Sequence, residues 1–350
     1  MRYPRNGVAV KIAVYGAYGY QGGLVAAELA RRGVETVLAG RDGERLRKAA
    51  TETGGESRTA AIDDREALVA AFRDVAAVVN CAGPFTPSGE KVIRAAIEAG
   101  CHYLDTSGEQ PYIKDVYDTF AADAERAGVT VVPAATDGGV PGDLIAHLLA
   151  ERLGPLDGLT AAHRIVGGGG MSRGSLRSLL AIGDGLRDGG LGYVDGVWRT
   201  GGREPGPIVF PGESHPTPMM RFPLQEAITV PRHIKVRNVQ GLVETELSAV
   251  FSAPPAPEVI DGLPPGPDER SRAAQRWTIV VDALGEDGRR ARGVVHGRDT
   301  YGTTAVIAAE GALLLAGGGA PAGVRAPSEA FDPEGFLGLL AGHGVGWEIG

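Results

Sequence analysis

Val8-Ala-Val-Lys-Ile-Ala-Val-Tyr15 runs directly into Gly16-Ala-Tyr-Gly19-Tyr-Gln-Gly22, and Leu24, Val25 and Leu29 follow at helical spacing. The apolar run reads as a buried strand, and residues Tyr20–Arg32 read as a helix stopped by Gly33. The three glycines therefore fall on a strand-to-helix turn, where a dinucleotide's pyrophosphate is held. Gly16 allows the tight turn, Gly19 lets the backbone approach the phosphates, and Gly22 lets helix and strand pack closely. The free N–H groups and positive end of the helix face the same phosphates. Tyr18, Tyr20 and Gln21 lie within the turn and are further candidate cofactor contacts. The spacing is G-x-x-G-x-x-G rather than the commoner G-x-G-x-x-G. In a chain with 54 glycines an isolated match says little, so the flanking strand and helix carry the reading.

The next strand, Glu35–Ala39, ends in Ala39-Gly40-Arg41-Asp42. A carboxylate here binds the ribose 2′-hydroxyl of NAD, whereas a positive residue accommodates the 2′-phosphate of NADP. Arg41 fills the second role, with Arg45, Arg47 and Lys48 adding positive potential nearby. NADP is the expected cofactor. Asp42 leaves NAD as the less favoured alternative.

Strand and helix signals keep alternating: helix Asp42–Thr53, strand Arg58–Ile62, and a helix capped by Asp63 or Asp64 and ending at Phe72. Strand Val75–Val79, helix Gly89–Ala99, strand Cys101–Asp105, helix Pro111–Ala127 and strand Val129–Val132 complete the series. This order predicts an α/β class, a Rossmann-type doubly wound parallel sheet. Beyond Asp137, His163–Val166, Leu242–Phe251 and Arg276–Ala283 read as strands with fewer helices between them, hence a second α+β domain. The expected division is 1–137 for the dinucleotide-binding domain, 138–301 for the substrate domain, and 302–350 for a terminal segment with helices Thr303–Leu315 and Pro333–Ala341. Residues 187–270, which carry many of the Gly and Pro residues, match no recognised motif and are expected to line the substrate pocket.

Ligands of open α/β sheets bind beyond the carboxyl ends of the strands. Three loops leave there. Asn80-Cys81-Ala82-Gly83-Pro84-Phe85 is expected along the nicotinamide half of a dinucleotide, or else as a plain structural turn. In the second loop Asp105 and Glu109, with Tyr103 beside them, are candidates to donate a proton or orient a substrate. Both carboxylates equally suit the N-terminus of the helix near Pro111. Asp137 and Asp143, in and after the third loop, share that ambiguity. Further on, Gly167–Gly170 leads into Ser172, Arg173 and Ser175, which read either as contacts to an anionic substrate group or as part of a hinge.

Several chemistries are excluded. The seven histidines show no paired ligand spacing, so no metal is expected. No G-x-S-x-G elbow or Walker sequence is present. A formal charge of −8 argues against a nucleic-acid or anionic-membrane binder. Hydrophobic and charged fractions of 43% and 22% are those of a soluble globular protein. Cys81 and Cys101 should lie roughly 15 Å apart along the sheet, too far for a disulfide. Reduced thiols, with no run of about 20 apolar residues and no signal peptide, point to a cytoplasmic protein.

Taken together, Gly16-Ala-Tyr-Gly19-Tyr-Gln-Gly22, Ala39-Gly40-Arg41, Asn80-Cys-Ala-Gly-Pro-Phe85, His102-Tyr-Leu-Asp105-Thr-Ser-Gly-Glu109, Gly139-Val-Pro-Gly-Asp143 and Gly297-Arg-Asp-Thr-Tyr301 resemble the saccharopine dehydrogenase-like oxidoreductases. That group includes saccharopine reductases and trans-acting enoyl reductases. The resemblance implies a Rossmann domain, an α+β domain and a terminal helical segment packing back on the first. The expected function is an NADPH-dependent reductase acting on a C=C, C=N or C=O bond of a small or carrier-linked metabolite, with homo-oligomer formation left open. Two other readings stand beside it: an isomerase, lyase or synthase using tightly bound NAD(P) for internal redox, and a non-catalytic dinucleotide sensor.

Overall fold

The first apolar run forms β1 (Lys11–Tyr15) in the computed structural model, which describes residues 10–202, 204–247 and 255–350. Val8 and Ala9, where that strand was expected to begin, lie outside the described residues. The alternation then proceeds as α1 (Tyr20–Arg31), β2 (Glu35–Gly40), α2 (Gly43–Thr53), β3 (Glu56–Thr59), α3 (Arg65–Phe72), β4 (Ala77–Asn80), α4 (Gly89–Glu98), β5 (His102–Asp105), α5 (Gln110–Ala127), β6 (Thr130–Val132) and α6 (Val140–Leu153). The strands pair in parallel, in the order β6-β5-β4-β1-β2-β3. Alternate residues fill two different cores, as a sheet covered on both faces requires. Ile12, Val14, Leu38 and Val79 pack with Leu29 of α1, while Ala13, Val37, Val78 and Tyr103 pack with Phe72, Ile93 and Phe120. Register sets Tyr15, Asn80 and Asp105 side by side on the carboxyl edge.

The edge strand β3 lies two residues before its expected place. It is mostly exposed and held by main-chain pairing to β2, so Ile62, which drew the sequence reading, is not part of it. Asp64 rather than Asp63 caps α3, accepting from the Ala67 N–H at 3.0 Å.

A second sheet follows, built from β7 (Leu156–Val166), β8 (Leu191–Val194), β9 (Val197–Thr200), β10 (Met219–Arg221), β11 (Val239–Glu244), β12 (Arg276–Gly285) and β13 (Arg290–Arg298). Only the β7–β11 pairing is parallel among its described pairs. Between these strands lie α7 (Arg173–Ile182), the short α8 (Asp184–Arg187) and α9 (Glu226–His233). Leu144, Ile145 and Leu149 of α6 pack on Leu159, Ile279, Val281 and Val295 of this sheet. Expected strand Leu242–Phe251 is replaced by the earlier β11 and a 3₁₀ turn at Thr245–Leu247; residues 248–251 lie outside the described residues.

The terminal segment is not purely helical. Helix Thr300–Ala316 packs on the first sheet, where Gly311 lets it approach Leu104 so closely that a Cβ would sit 2.8 Å from Cδ2. The chain then adds β14 (Gly323–Val324) beside β6 as a seventh parallel strand, forms helix Pro333–Ala341, and adds β15 (Gly346–Ile349) beside β13. The last fifty residues therefore join both sheets. No described helix is long and apolar enough to cross a membrane.

Candidate functional site

The glycine turn is built as its sequence required. Gly16 has a φ of +79°, a left-handed conformation that disfavours a side chain, and a Cβ there would lie 3.0 Å from the Ala82 nitrogen. Its N–H donates to the Ala39 carbonyl at 2.8 Å, and the Gly19 N–H donates to its carbonyl at 2.9 Å. A Cβ on Gly22 would lie 2.2 Å from that same carbonyl oxygen. Gly19 is exposed at the start of α1, where no side chain caps the helix and no acidic residue occupies the first turn. The positive helix end is thus open to an anion.

Tyr20 and Gln21 are placed differently from expectation. The Tyr20 hydroxyl donates to the Pro267 carbonyl at 2.5 Å, its ring meets Tyr301 edge-on at 5.0 Å, and Gln21 Nε2 donates to the Tyr301 carbonyl at 3.1 Å. Their side chains bind the turn to the later part of the chain and leave only their backbone facing the turn. Tyr18 lies against Gly40, with the Arg45 guanidinium 4.4 Å above its ring.

The end of β2 separates the two readings of Arg41 and Asp42. Asp42 turns back to cap α2, its Oδ1 accepting from the Glu44 and Arg45 N–H groups, each at 3.1 Å. Arg41 is exposed and makes no hydrogen bond or ion pair among the described residues.

Beyond β4 and β5 a one-way chain of hydrogen bonds runs through the interior. Asn80 accepts from the Ala82 N–H at 3.0 Å through Oδ1 and donates from Nδ2 to the Tyr103 oxygen at 3.0 Å. Tyr103 and Tyr112 lie 3.1 Å apart, and Tyr112 donates to Asp105 Oδ2 at 2.8 Å. Because the Tyr112 hydrogen is committed to Asp105, Tyr103 is the donor between the two phenols. Asp105 Oδ1 accepts from the Ser107 N–H at 3.1 Å and the Ala134 N–H at 3.0 Å. Asp105 and Tyr103 are fully buried, each already hydrogen-bonded. Expected as catalytic groups, they instead brace Asn80 and the loop that follows it.

Burial pushes the Asp105 carboxyl up to about 6, against the pull of its donors. A carboxyl raised in the folded state binds its proton more tightly there than in the unfolded chain. Its favourable contribution is therefore full below about pH 4 and is lost as pH rises through about 6. Relative to Asp105→Asn, wild type should lose about 3 kcal/mol of stability between about pH 4 and pH 7. Urea denaturation of both proteins across that range checks this, and parallel pH profiles would contradict it.

Glu109 is the second buried carboxylate and it is saturated. Oε1 accepts from the Phe85 N–H at 2.8 Å and the Ser178 hydroxyl at 2.6 Å; Oε2 accepts from the Thr86 N–H at 2.7 Å and the Thr86 hydroxyl at 2.6 Å. It neither caps α5 through its side chain nor presents a free oxygen. Instead it clamps the Asn80–Thr86 segment to α7. Cys81 and Cys101 are both free thiols.

The stretch after β7 is structural in its hydrogen bonding. Gly167, Gly168, Gly169 and Gly170 all have positive φ. Ser172 caps α7 by accepting from the Ser175 N–H at 3.1 Å, its own N–H donates to the Tyr301 hydroxyl at 2.7 Å, and Arg173 donates to the Asp261 carbonyl at 3.2 Å. Asp143, read as a helix-terminal charge, is buried and bonded to His233 at 3.0 Å and to the Ser328 hydroxyl at 2.6 Å.

Sequence reasoning picked out Asp137 but missed the polar residues that surround it at the carboxyl edge. His163 of β7 pairs with Glu226 of α9 at 2.6 Å, Gln225 reaches towards Gly108 and Gly138, and Asp137 accepts from the Thr304 hydroxyl at 2.9 Å. No periodicity marks His163 and Glu226, because they lie 63 residues apart and meet only through the fold. Among the described residues no cluster of three or more His, Cys, Asp or Glu residues fits a metal ion.

Residues 12–132 match the family model for the saccharopine dehydrogenase NADP binding domain. Residues 12–132 thus form a nucleotide-binding domain of the saccharopine dehydrogenase type. Similar proteins include a lipid droplet localized protein of Caenorhabditis elegans, 31% identical over 153 residues that make up 40% of this chain and 36% of that protein. A trans-acting enoyl reductase of Mycobacterium tuberculosis is 30% identical over 148 residues, 40% of this chain and 35% of that protein. A saccharopine dehydrogenase-like oxidoreductase of Bos taurus is 29% identical over 152 residues, 38% of this chain and 35% of that protein. The chain thus matches well under half the length of each of these relatives. Its two-domain fold is also that of the apo saccharopine dehydrogenase (L-Glu forming) of Saccharomyces cerevisiae, with a TM-score of 0.60 at 13% identity, covering 97% of this chain and 100% of that one.

Proposed function

We propose that this saccharopine dehydrogenase-like protein is an NADPH-dependent reductase acting on a C=C, C=N or C=O bond of a small or carrier-linked metabolite. One observation carries the cofactor choice: at the end of β2, Asp42 is consumed in capping α2 while Arg41 stays unpaired. The cradle fits the cofactor, because exposed Gly19 opens α1 at an N-terminus with no side-chain cap and no acidic residue in its first turn. Bound NADPH would supply the hydride. Gly16, Gly19 and Gly22 shape the turn that receives the pyrophosphate, the free N–H groups in the first turn of α1 hold it, and Arg41 holds the 2′-phosphate. Residues Asn80, Cys81, Ala82, Gly83 and Pro84 back the nicotinamide side, kept in place from behind by Tyr103, Asp105 and Glu109. The enoyl reductase relatives favour a carrier-linked substrate within this class.

A charge-assisted bond between guanidinium and phosphate contributes on the order of 1.5–3 kcal/mol, or about ten- to a hundredfold in affinity. NADPH should therefore bind at least about tenfold tighter than NADH. Arg41→Ala should remove most of that gap by weakening NADPH. Fluorescence titration of both nucleotides on both proteins tests the reading, and a wild-type preference for NADH would refute it.

A further inference from the structure

His163 sits at the centre of a row that crosses the second sheet: Met220 on β10, Val243 on β11, His163 on β7 and Ile279 on β12 are paired in register. Val243 and Ile279 are buried, so the row offers one ionisable side chain on an apolar floor. Strand alternation puts His163 on the same face as Leu159 and Ala161, the face that carries α6 and turns towards the first domain. There the imidazole reaches the loop after β6. A Cβ on Gly138 would lie 3.5 Å from its Cε1 and 3.6 Å from its Nδ1.

The two ring nitrogens have different surroundings. Nε2 is 2.6 Å from Glu226 Oε1, and the Glu226 carboxylate is fully buried, with its Oε2 lacking a hydrogen-bond partner. A carboxylate only accepts, so Nε2 carries a hydrogen in either charge state of the ring. Nδ1 hydrogen-bonds nothing among the described residues and faces the carboxyl edge of the first sheet. Its proton is the one that comes and goes. This is the arrangement of a base oriented by a buried carboxylate.

We propose that His163 is the proton donor of the reduction, acting from Nδ1, with Glu226 as its positioning residue. The inference rests on the reductase reading above. The hydride brings two electrons and one hydrogen to one atom of the double bond. The second hydrogen leaves Nδ1 as a proton and bonds to the other atom, and the neutral ring regains a proton from water. The charged or titratable groups facing the imidazole are Glu226 from α9 and Asp137 from the loop after β6; the strands on either side present Val243 and Ile279. Burial pushes the Asp137 carboxyl up to about 6, partly opposed by the Thr304 hydroxyl and by His163.

His163→Gln tests this, because glutamine keeps an N–H for Glu226 but has no ionisable proton. NADPH affinity is measured by nucleotide fluorescence, and NADPH oxidation is followed with trans-2-octenoyl-N-acetylcysteamine thioester between about pH 5.5 and pH 9. H163Q should bind NADPH within about twofold of wild type yet lose roughly a hundredfold in kcat, together with the alkaline limb of the pH profile. Glu226→Gln should keep turnover but move that limb to lower pH, as removing an anion beside an imidazolium requires. Wild-type kcat or an unchanged limb in H163Q would overturn the proposal. Failure of the wild type to bind NADPH would instead overturn the reductase reading, and the fluorescence arm tells the two apart. Long-range proton–nitrogen NMR of the free protein needs no substrate and decides alone if the thioester is not turned over. The neutral ring should carry its hydrogen on Nε2 and shift when NADPH is added. Hydrogen on Nδ1, or no response to NADPH, would overturn the proposal.

Discussion

Gly19→Val is expected to abolish NADPH binding in a protein that still folds. The backbone at Gly19 has a φ of −74°, which any residue adopts, and an added Cβ meets only the Gly16 carbonyl oxygen, at 3.0 Å. A shift of a few tenths of an ångström accommodates it. The two methyl groups, however, would stand over the open N-terminus of α1, where the pyrophosphate must approach the N–H groups. Loss of that contact should weaken binding by a hundredfold or more, at least about 2.7 kcal/mol. Gly22→Ala makes the contrast: its Cβ would lie 2.2 Å from the Gly16 oxygen, so the backbone must move and stability falls along with binding. Calorimetry with NADPH, paired with thermal melts, separates the two substitutions. Near-normal affinity in folded G19V would mean that the nucleotide does not bind at this turn.

The second large effect is expected at Glu109. Its removal strands the buried Phe85 N–H and frees the Thr86 N–H, the Thr86 hydroxyl and the Ser178 hydroxyl. Each hydrogen bond to a charged group contributes on the order of 1.5–3 kcal/mol, and the two hydroxyls recover part of that by turning to water. Glu109→Ala should cost roughly 3–5 kcal/mol of stability. Glu109→Gln should be intermediate, because its NH₂ group must face either the Phe85 N–H or the Thr86 N–H, and neither main-chain donor can rotate away. Both variants should also slow turnover, since they release the Asn80–Thr86 segment from α7. Urea denaturation checks the first claim; a Glu109→Ala variant within about 0.5 kcal/mol of wild type would show that the clamp is unimportant.

The roles of Glu109 and Asp105 show where reading a sequence stops. Both were visible as carboxylates around the end of a strand, and the structure places Asp105 as the last residue of β5 with Glu109 in the loop after it. What the sequence could not show was the number of donors each would meet, because Ser178 and Ala134 arrive from 69 and 29 residues away. Local signals served well in the first domain. The strand before Gly16, the α3 cap among Asp63 and Asp64, and the glycine stop at Gly33 are decided by neighbours in sequence. The second sheet is different. β13 opens Arg290-Ala-Arg-Gly and is apolar mainly at Val294 and Val295, so no alternation announces it; its place is fixed by pairing with β12 and β15. β14 has two residues, and it is a strand only because β6 has an open edge. Tyr20 and Gln21 were drawn to the nucleotide by their place in the motif, yet Tyr301 and Pro267, far along the chain, claim their side chains.

The most direct measurement is a crystal structure of the protein with NADPH. The expected result has the pyrophosphate over Gly19 and the first N–H groups of α1, the 2′-phosphate on the Arg41 guanidinium, and the nicotinamide ring between the Asn80–Pro84 segment and His163. A ribose turned onto Asp42, or a nucleotide bound away from the Gly16–Gly22 turn, would contradict it.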